Sequence, residues 1–223
     1  MGTLKVDNLQ KRDGTALITD GAASTTLLSQ ASLRSAGVGL IKINTQTVSG
    51  AATVNFTDLD TTSGSSLYSS FKIVMDNVTA DSDNAALFYG RFGIGATPTY
   101  NTSSNYNTVF VNGFSNVAGL QQQGAGSAAQ FWLAANASSG YYMPGDTFEF
   151  LSGTMDLFRI GDSNHPPQTN WFLGYPISGN VQSTGFGTAT FVESSEIVNG
   201  TAVQLYMSTG NISGTFTLYG VTK

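Results

Sequence analysis

The 223-residue chain holds one histidine, His165, and no cysteine. His165 lies in "DSNHPPQ", next to Asp162 and Ser163, so the residue types of a Ser–His–Asp relay sit close together. That relay needs its nucleophile on a rigid elbow of the Gly-x-Ser-x-Gly kind, and no such pentapeptide occurs. His165 is therefore expected as an exposed loop histidine, and no catalytic residue is assigned. Without cysteine there is no thiolate nucleophile, disulfide or cysteine-based metal site.

Carboxylates come next. Asp58 and Asp60 face one side if "DLD" is extended, and Asp81 and Asp83 share the loop "DSDN". Either pair offers the oxygen ligands that calcium prefers. Neither has EF-hand spacing, and aspartate in turns commonly bonds its own backbone. No metal and no cofactor is assigned. Glu149 and Asp156 are a conceivable glycosidase pair, but seven residues apart on a strand they face opposite sides. They cannot flank one glycosidic bond from that strand.

Aromatic residues crowd the middle of the chain: Tyr89, Phe92, Tyr100, Tyr106, Phe131, Trp132, Tyr141, Tyr142, Trp171, Phe172 and Tyr175. Most are expected in a core or at a contact between copies of the chain. Tyr100, Tyr106, Tyr141 and Tyr142 lie beside Ser, Asn and Gly in loop-like text. These four are the residues expected to form an exposed platform that stacks sugar rings.

What positions such residues follows from composition. Only 10% of residues are charged, against 40% hydrophobic, and 26 are glycine. Long solvated helices use far more Lys and Glu, so many short strands and tight turns are expected. With a net charge of −5 and nine basic residues spread along the chain, no basic stripe exists to neutralise phosphates. Nucleic-acid binding is not expected. The start, "MGTLKVD", is not an apolar leader, and no apolar run approaches membrane-spanning length.

Residues 1–36 differ from the rest. "LKVDNLQ" and "TALIT" are short strand-like pieces around Arg12-Asp13-Gly14, a hairpin signal. "STTLLSQASLRSAG" could form one or two helical turns. The segment holds too few large apolar residues for its own core, so it reads as an arm that borrows one. Residues 37–223 read as β throughout, with strands at 38–48, 51–57, 67–78, 85–94, 106–114, 127–135, 146–158, 169–177, 185–193, 201–208 and 212–221. Short punctuated strands predict an all-β sandwich or barrel. Between Arg91 and Asp146, 54 residues carry no charge, including "GLQQQGAGSAAQ" at 119–130. Such text is expected as loop, or as surface covered by another subunit.

The closing stretch "SGNISGTFTLYGV" resembles the last strand of a family of tailed-phage virion proteins, the tail-fibre, tailspike-tip and head-fibre components. "VSGAATVNFTDLDTTSGSSLYSSFKIVMDNVTADSDNAALFYGRF" is similar to that family's opening strands, and "TLKVDNLQKRDGTALIT" to its N-terminal attachment segments. Residues 95–145 match no such pattern. The resemblance implies a jelly-roll β-sandwich head with an extended attachment arm, assembled as a homotrimer and displayed on the virion. It implies anchoring to other virion proteins through the arm, with Leu4, Val6, Leu9, Leu17 and Ile18 as the apolar anchors. It also implies adhesion to a host surface glycan without catalysis; charge and the lack of a long apolar run make neither nucleic acid nor membrane an expected partner. A capsid decoration protein is the alternative within this class, and a polysaccharide-degrading enzyme fragment is the alternative outside it.

Overall fold

A computed structural model describes residues 9–10, 16–19, 22–23, 39–57, 59, 68–81, 86–95, 97–116, 118–134, 142–143, 150–162, 164–177, 181–191 and 200–222. Every element among them is a β-strand, and every pairing is antiparallel. β1 (Leu9–Gln10), β2 (Ala16–Thr19) and β3 (Ala22–Ala23) form a small separate sheet, with Leu9 opposite Ile18. Leu17 also lies in β2, whereas Leu4, Val6 and the expected helical turns lie outside the described residues.

The body contains β4 (Leu40–Ala51), β5 (Val54–Phe56), β6 (Tyr68–Ala80), β7 (Phe88–Ile94), β8 (Thr99–Tyr100), β9 (Tyr106–Phe114) and β10 (Leu120–Ala128). It continues with β11 (Phe131–Ala134), β12 (Leu151–Phe158), β13 (Gln168–Ile177), β14 (Val181–Phe191), β15 (Gly200–Met207) and β16 (Ile212–Thr222). Four strands pair in the order β4-β16-β6-β12, and four others in the order β5-β15-β7-β11. Reading these eight along the chain, β4, β5, β6 and β7 alternate between the sheets, as do β11, β12, β15 and β16. That winding is the jelly roll, two interlocked Greek keys. The remaining long strands extend the first sheet past β12 as β13-β14-β9-β10, giving it eight strands.

Alternation explains the packing. In β6, Phe71, Ile73 and Met75 are buried while Lys72, Val74 and Asp76 face outward. The facing β7 buries Phe88 and Phe92. Each fully buried Phe, Leu or Met contributes about 1.5–3 kcal/mol relative to exposure. Between the sheets, Phe131 lies 5.2 Å from Phe92 and 5.8 Å from Tyr106, centroid to centroid. Tyr106 in turn meets Phe191 edge-on at 5.0 Å. A side chain on Gly90 would start 2.2 Å from the Phe131 ring, so glycine there is what lets the two strands close.

One irregularity crosses three strands. Asn77 (φ 53°) and Gly214 (φ 140°) adopt positive φ where β6 meets β16, and the register shifts there and again beside Gly153 of β12. Asparagine and glycine tolerate this conformation best. Aligned bulges bend the sheet.

Two expectations change. The text at 119–130, expected as loop or covered surface, is mostly the edge strand β10. The single strand expected at 127–135 is split between β10 and β11 by a bend at Ala129-Gln130. β10 escaped notice because it buries neither face, so it shows no apolar alternation of its own; β9 supplies its pairing.

Candidate binding faces

Among the described residues the expected aromatic platform does not assemble. Tyr106 is 0% exposed. Its hydroxyl accepts the Phe92 N–H at 2.9 Å and faces the Phe92 and Asn101 carbonyls, each at 3.4 Å. Burial pushes its phenol well above the usual value. It is a core strut joining β9 to β7, and a ring so enclosed offers no face to a sugar. Tyr100 is half-buried with its ring about 3.0 Å from where a Gly93 side chain would begin. Tyr142 is half-buried against the core, and Tyr141 lies outside the described residues.

The polar candidates resolve as turns and pairs. Asp162 Oδ1 accepts the Asn164 and His165 N–H groups at 2.7 and 3.2 Å, and His165 Nδ1 stands 2.9 Å from Asp162 Oδ2. Chiefly the Asn164 N–H holds the Asp162 carboxyl below its ordinary value. This is a capped turn with an exposed imidazole, and Ser163 lies outside the described residues. Asp81 Oδ1 accepts the Asn211 N–H, and its own N–H donates back to the Asn211 carbonyl at 3.0 Å. That fastens two loops together. Asp58, Asp60, Asp83 and Glu149 lie outside the described residues. Asp156 pairs with Lys72 at 2.5 Å. Among the described residues no three His, Cys, Asp or Glu gather as a metal site would require.

Two surfaces stand out instead. The first is the outer face of the small sheet. Strand register places Trp132, Tyr89 and Tyr206 in one row across β11, β7 and β15. The rings touch, with centroids 6.1 Å apart for Tyr89–Trp132 and 5.7 Å for Tyr89–Tyr206. The next row is Arg91, Gln204 and Asn55. Each residue alternates with a core residue: Phe131 and Leu133 flank Trp132, Phe88 and Phe92 bracket Tyr89 and Arg91, and Leu205 and Met207 flank Tyr206. The inward neighbours turn these six to the outer face, where Tyr89 lies covered between its neighbours at only 9% exposure.

Their geometry is fixed from several sides. Trp132 N–H donates to Thr108 Oγ1 at 3.4 Å, tying β11 to β9. Arg91 Nε donates to the Ala129 carbonyl at 3.2 Å, and its guanidinium carbon lies 4.7 Å from the centre of the Tyr206 ring. That cation–π contact orients the planar fork. Among the described residues no carboxylate pairs with Arg91. Gln204 Nε2 donates to Asn55 Oδ1 at 3.0 Å, and Asn55 Nδ2 to Thr53 Oγ1 at 3.0 Å. The amides are thereby oriented too. Burial lifts Tyr206 to about 12 against a downward pull from Arg91, with a lesser upward push from the Tyr89 phenol. Trp132 Nε1 and Tyr206 Oη are buried and have no hydrogen-bond partner among the described residues. The sequence placed Tyr89 and Trp132 among aromatics expected in a core or at a contact between copies and did not single out Tyr206; strand register is what brings the row together.

The second surface is the outer face of the four-strand extension. Val111, Phe186 and Phe172 make a ridge across β9, β14 and β13, continued by Gln122 on β10. Phe172 is 58% exposed and Phe186 47%. Hollows of about 560, 460 and 320 Å³ flank the ridge, the first beside Thr188 and Asn170 and the others where Gly113, Thr184 and Gly174 leave space. β9, β10, β13 and β14 contain no charged residue, whereas β4, β6 and β12 carry Lys42, Lys72, Asp76 and Asp156.

Comparison with known proteins finds no matching family model, no similar curated protein and no similar solved structure.

Proposed function

We propose that this chain is a host-adhesion component of a phage particle, a jelly-roll head that binds surface glycan while residues 1–36 attach it to other virion proteins. The sequence stretches that resemble phage fibre components support the setting. The observation that carries the binding role is the half-exposed pair Trp132 and Tyr206, one on each side of the buried Tyr89, beside Arg91, Gln204 and Asn55. Aromatic faces stack on the C–H faces of sugars, and oriented amide and guanidinium groups bond the hydroxyls between them. Arg91, with no carboxylate partner among the described residues, would also accept a carboxylate on the glycan through its two-pronged fork. The mechanism is binding without turnover, and several copies on one particle would multiply weak contacts by avidity.

The test is binding of the full chain to immobilised bacterial polysaccharides, both neutral and uronate-containing. Wild type is expected to bind at least one class, and Trp132→Ala to weaken that binding at least about tenfold, about 1.4 kcal/mol, with an unchanged near-ultraviolet spectrum. Equal binding by the folded variant would overturn the assignment of the site. Clearing or thinning of the polysaccharide would favour an enzyme instead.

A further inference from the structure

Among the described residues the body has five edge strands, and all but β10 are protected, β8 by being only two residues long. β5 and β11 are three and four residues long, and β4 carries Lys42 and pairs with β16 through two register shifts. Shortness, lysine and irregular pairing are ordinary ways of stopping a sheet from recruiting another strand. β10 differs. It is nine residues long, "LQQQGAGSA", with neither charge nor proline, and Leu120 to Ala125 pair with β9 in unbroken register. Its only irregularity comes after Ala125, near Ser127 (φ 53°). Its outer-facing residues are Leu120, Gln122 and Gly124, and Leu120 is 69% exposed.

We propose that β10 is a docking edge for a second copy of this chain, β10 against β10 about a two-fold axis at Gln122. The two sheets would then run on as one. The sequence fits itself in that register. Antiparallel strands place residues of the same face opposite each other, so Gln122 meets Gln122 of the second copy, Gln121 meets Gln123, and Leu120 meets Gly124. The most exposed large apolar side chain among the described residues thus lies over a glycine, and the amide pair can donate and accept across the axis. A two-fold contact sets each surface against itself, so a charged edge would repel its own copy. This one, like the whole extension behind it, has no charge to repel. The contact stands independently of the glycan site on the other sheet.

The experiment is sedimentation of the full chain at micromolar concentrations, wild type against Gln122→Lys and the neutral control Gln122→Ser. Whatever number of copies the arm gathers, the wild-type mass should be twice that of Gln122→Lys, and Gln122→Ser should match wild type. Two ammonium groups facing each other at the axis would separate the pair. Equal masses for wild type and Gln122→Lys would overturn the proposal, as would masses that climb without limit, which mean open-ended pairing. Gln122→Cys supplies a second reading that needs no lysine variant to fold. The chain has no other cysteine, so mild oxidation should link copies in pairs, while Thr45→Cys on the opposite edge should not. Failure to link at Gln122→Cys would also sink it. Retained polysaccharide binding by Gln122→Lys separates this result from the adhesion reading.

Discussion

The small sheet and the extension of the large sheet both turn aromatic rings outward, and they differ in what stands at the ring edges. Beside Trp132, Tyr89 and Tyr206 are a guanidinium and two oriented amides. Beside Phe172 and Phe186 are valine, threonine and glycine hollows, and the rings have nothing to donate. Exposed apolar area alone therefore says only that something binds. Polar groups at the rim suit a hydroxyl-rich ligand, whereas a smooth uncharged face beside an open strand edge suits more protein.

The largest expected effect bears on the first surface. Gly90→Ala would drive a methyl group into the Phe131 ring, and Phe131 holds down the strand that carries Trp132. Overpacking of this kind costs about 1–3 kcal/mol. The melting temperature should fall by several degrees, and polysaccharide binding should drop with it, read by calorimetry and by the binding assay. Intact binding would mean that Trp132 is not held through this contact.

A smaller effect separates the two faces. Phe172→Ser with Phe186→Ser removes the ridge without touching the core. Folding stability should change by less than about 1 kcal/mol, and polysaccharide binding should not change. Loss of binding in this variant would move the sugar to the large sheet and reverse the comparison.

The smallest effect is a matter of pH. Tyr206 is raised from 10.0 to about 12 in the folded chain, so its neutral form is favoured by folding. Its contribution is intact below pH 10 and is lost as pH rises from 10 towards about 12. Denaturant midpoints should hold steady up to pH 10 and then fall. Phenolate absorbance should show Tyr206 ionising late in wild type and at an ordinary pH in unfolded chain. An ordinary titration in the folded chain would mean that the small-sheet face is more open than the structure places it.

The all-β class was legible in the sequence because strands such as β6, β9 and β13 bury every second residue, and that alternation is visible in the letters. β10 was not legible for the opposite reason: its residues bury nothing, and it is a strand because β9 lies beside it. Tyr106 was misread because Ser and Asn surround it. Its place is set by the Phe92 backbone fourteen positions away, which needs a partner when buried. The Trp132 row was not legible, because no local pattern states that β11, β7 and β15 stand side by side.

The interior position of β16 carries a consequence for biosynthesis. It lies between β4 and β6, and Thr45 meets Thr217 across 172 positions of sequence. Until β16 leaves the ribosome, β4 has no neighbour and one flank of β6 is bare. The nascent chain must keep those flanks unsatisfied throughout the making of β7 to β15. Folding should thus proceed slowly, as long-range topologies do. A chaperone that shields bare strands should raise the yield more than any change to the finished surface.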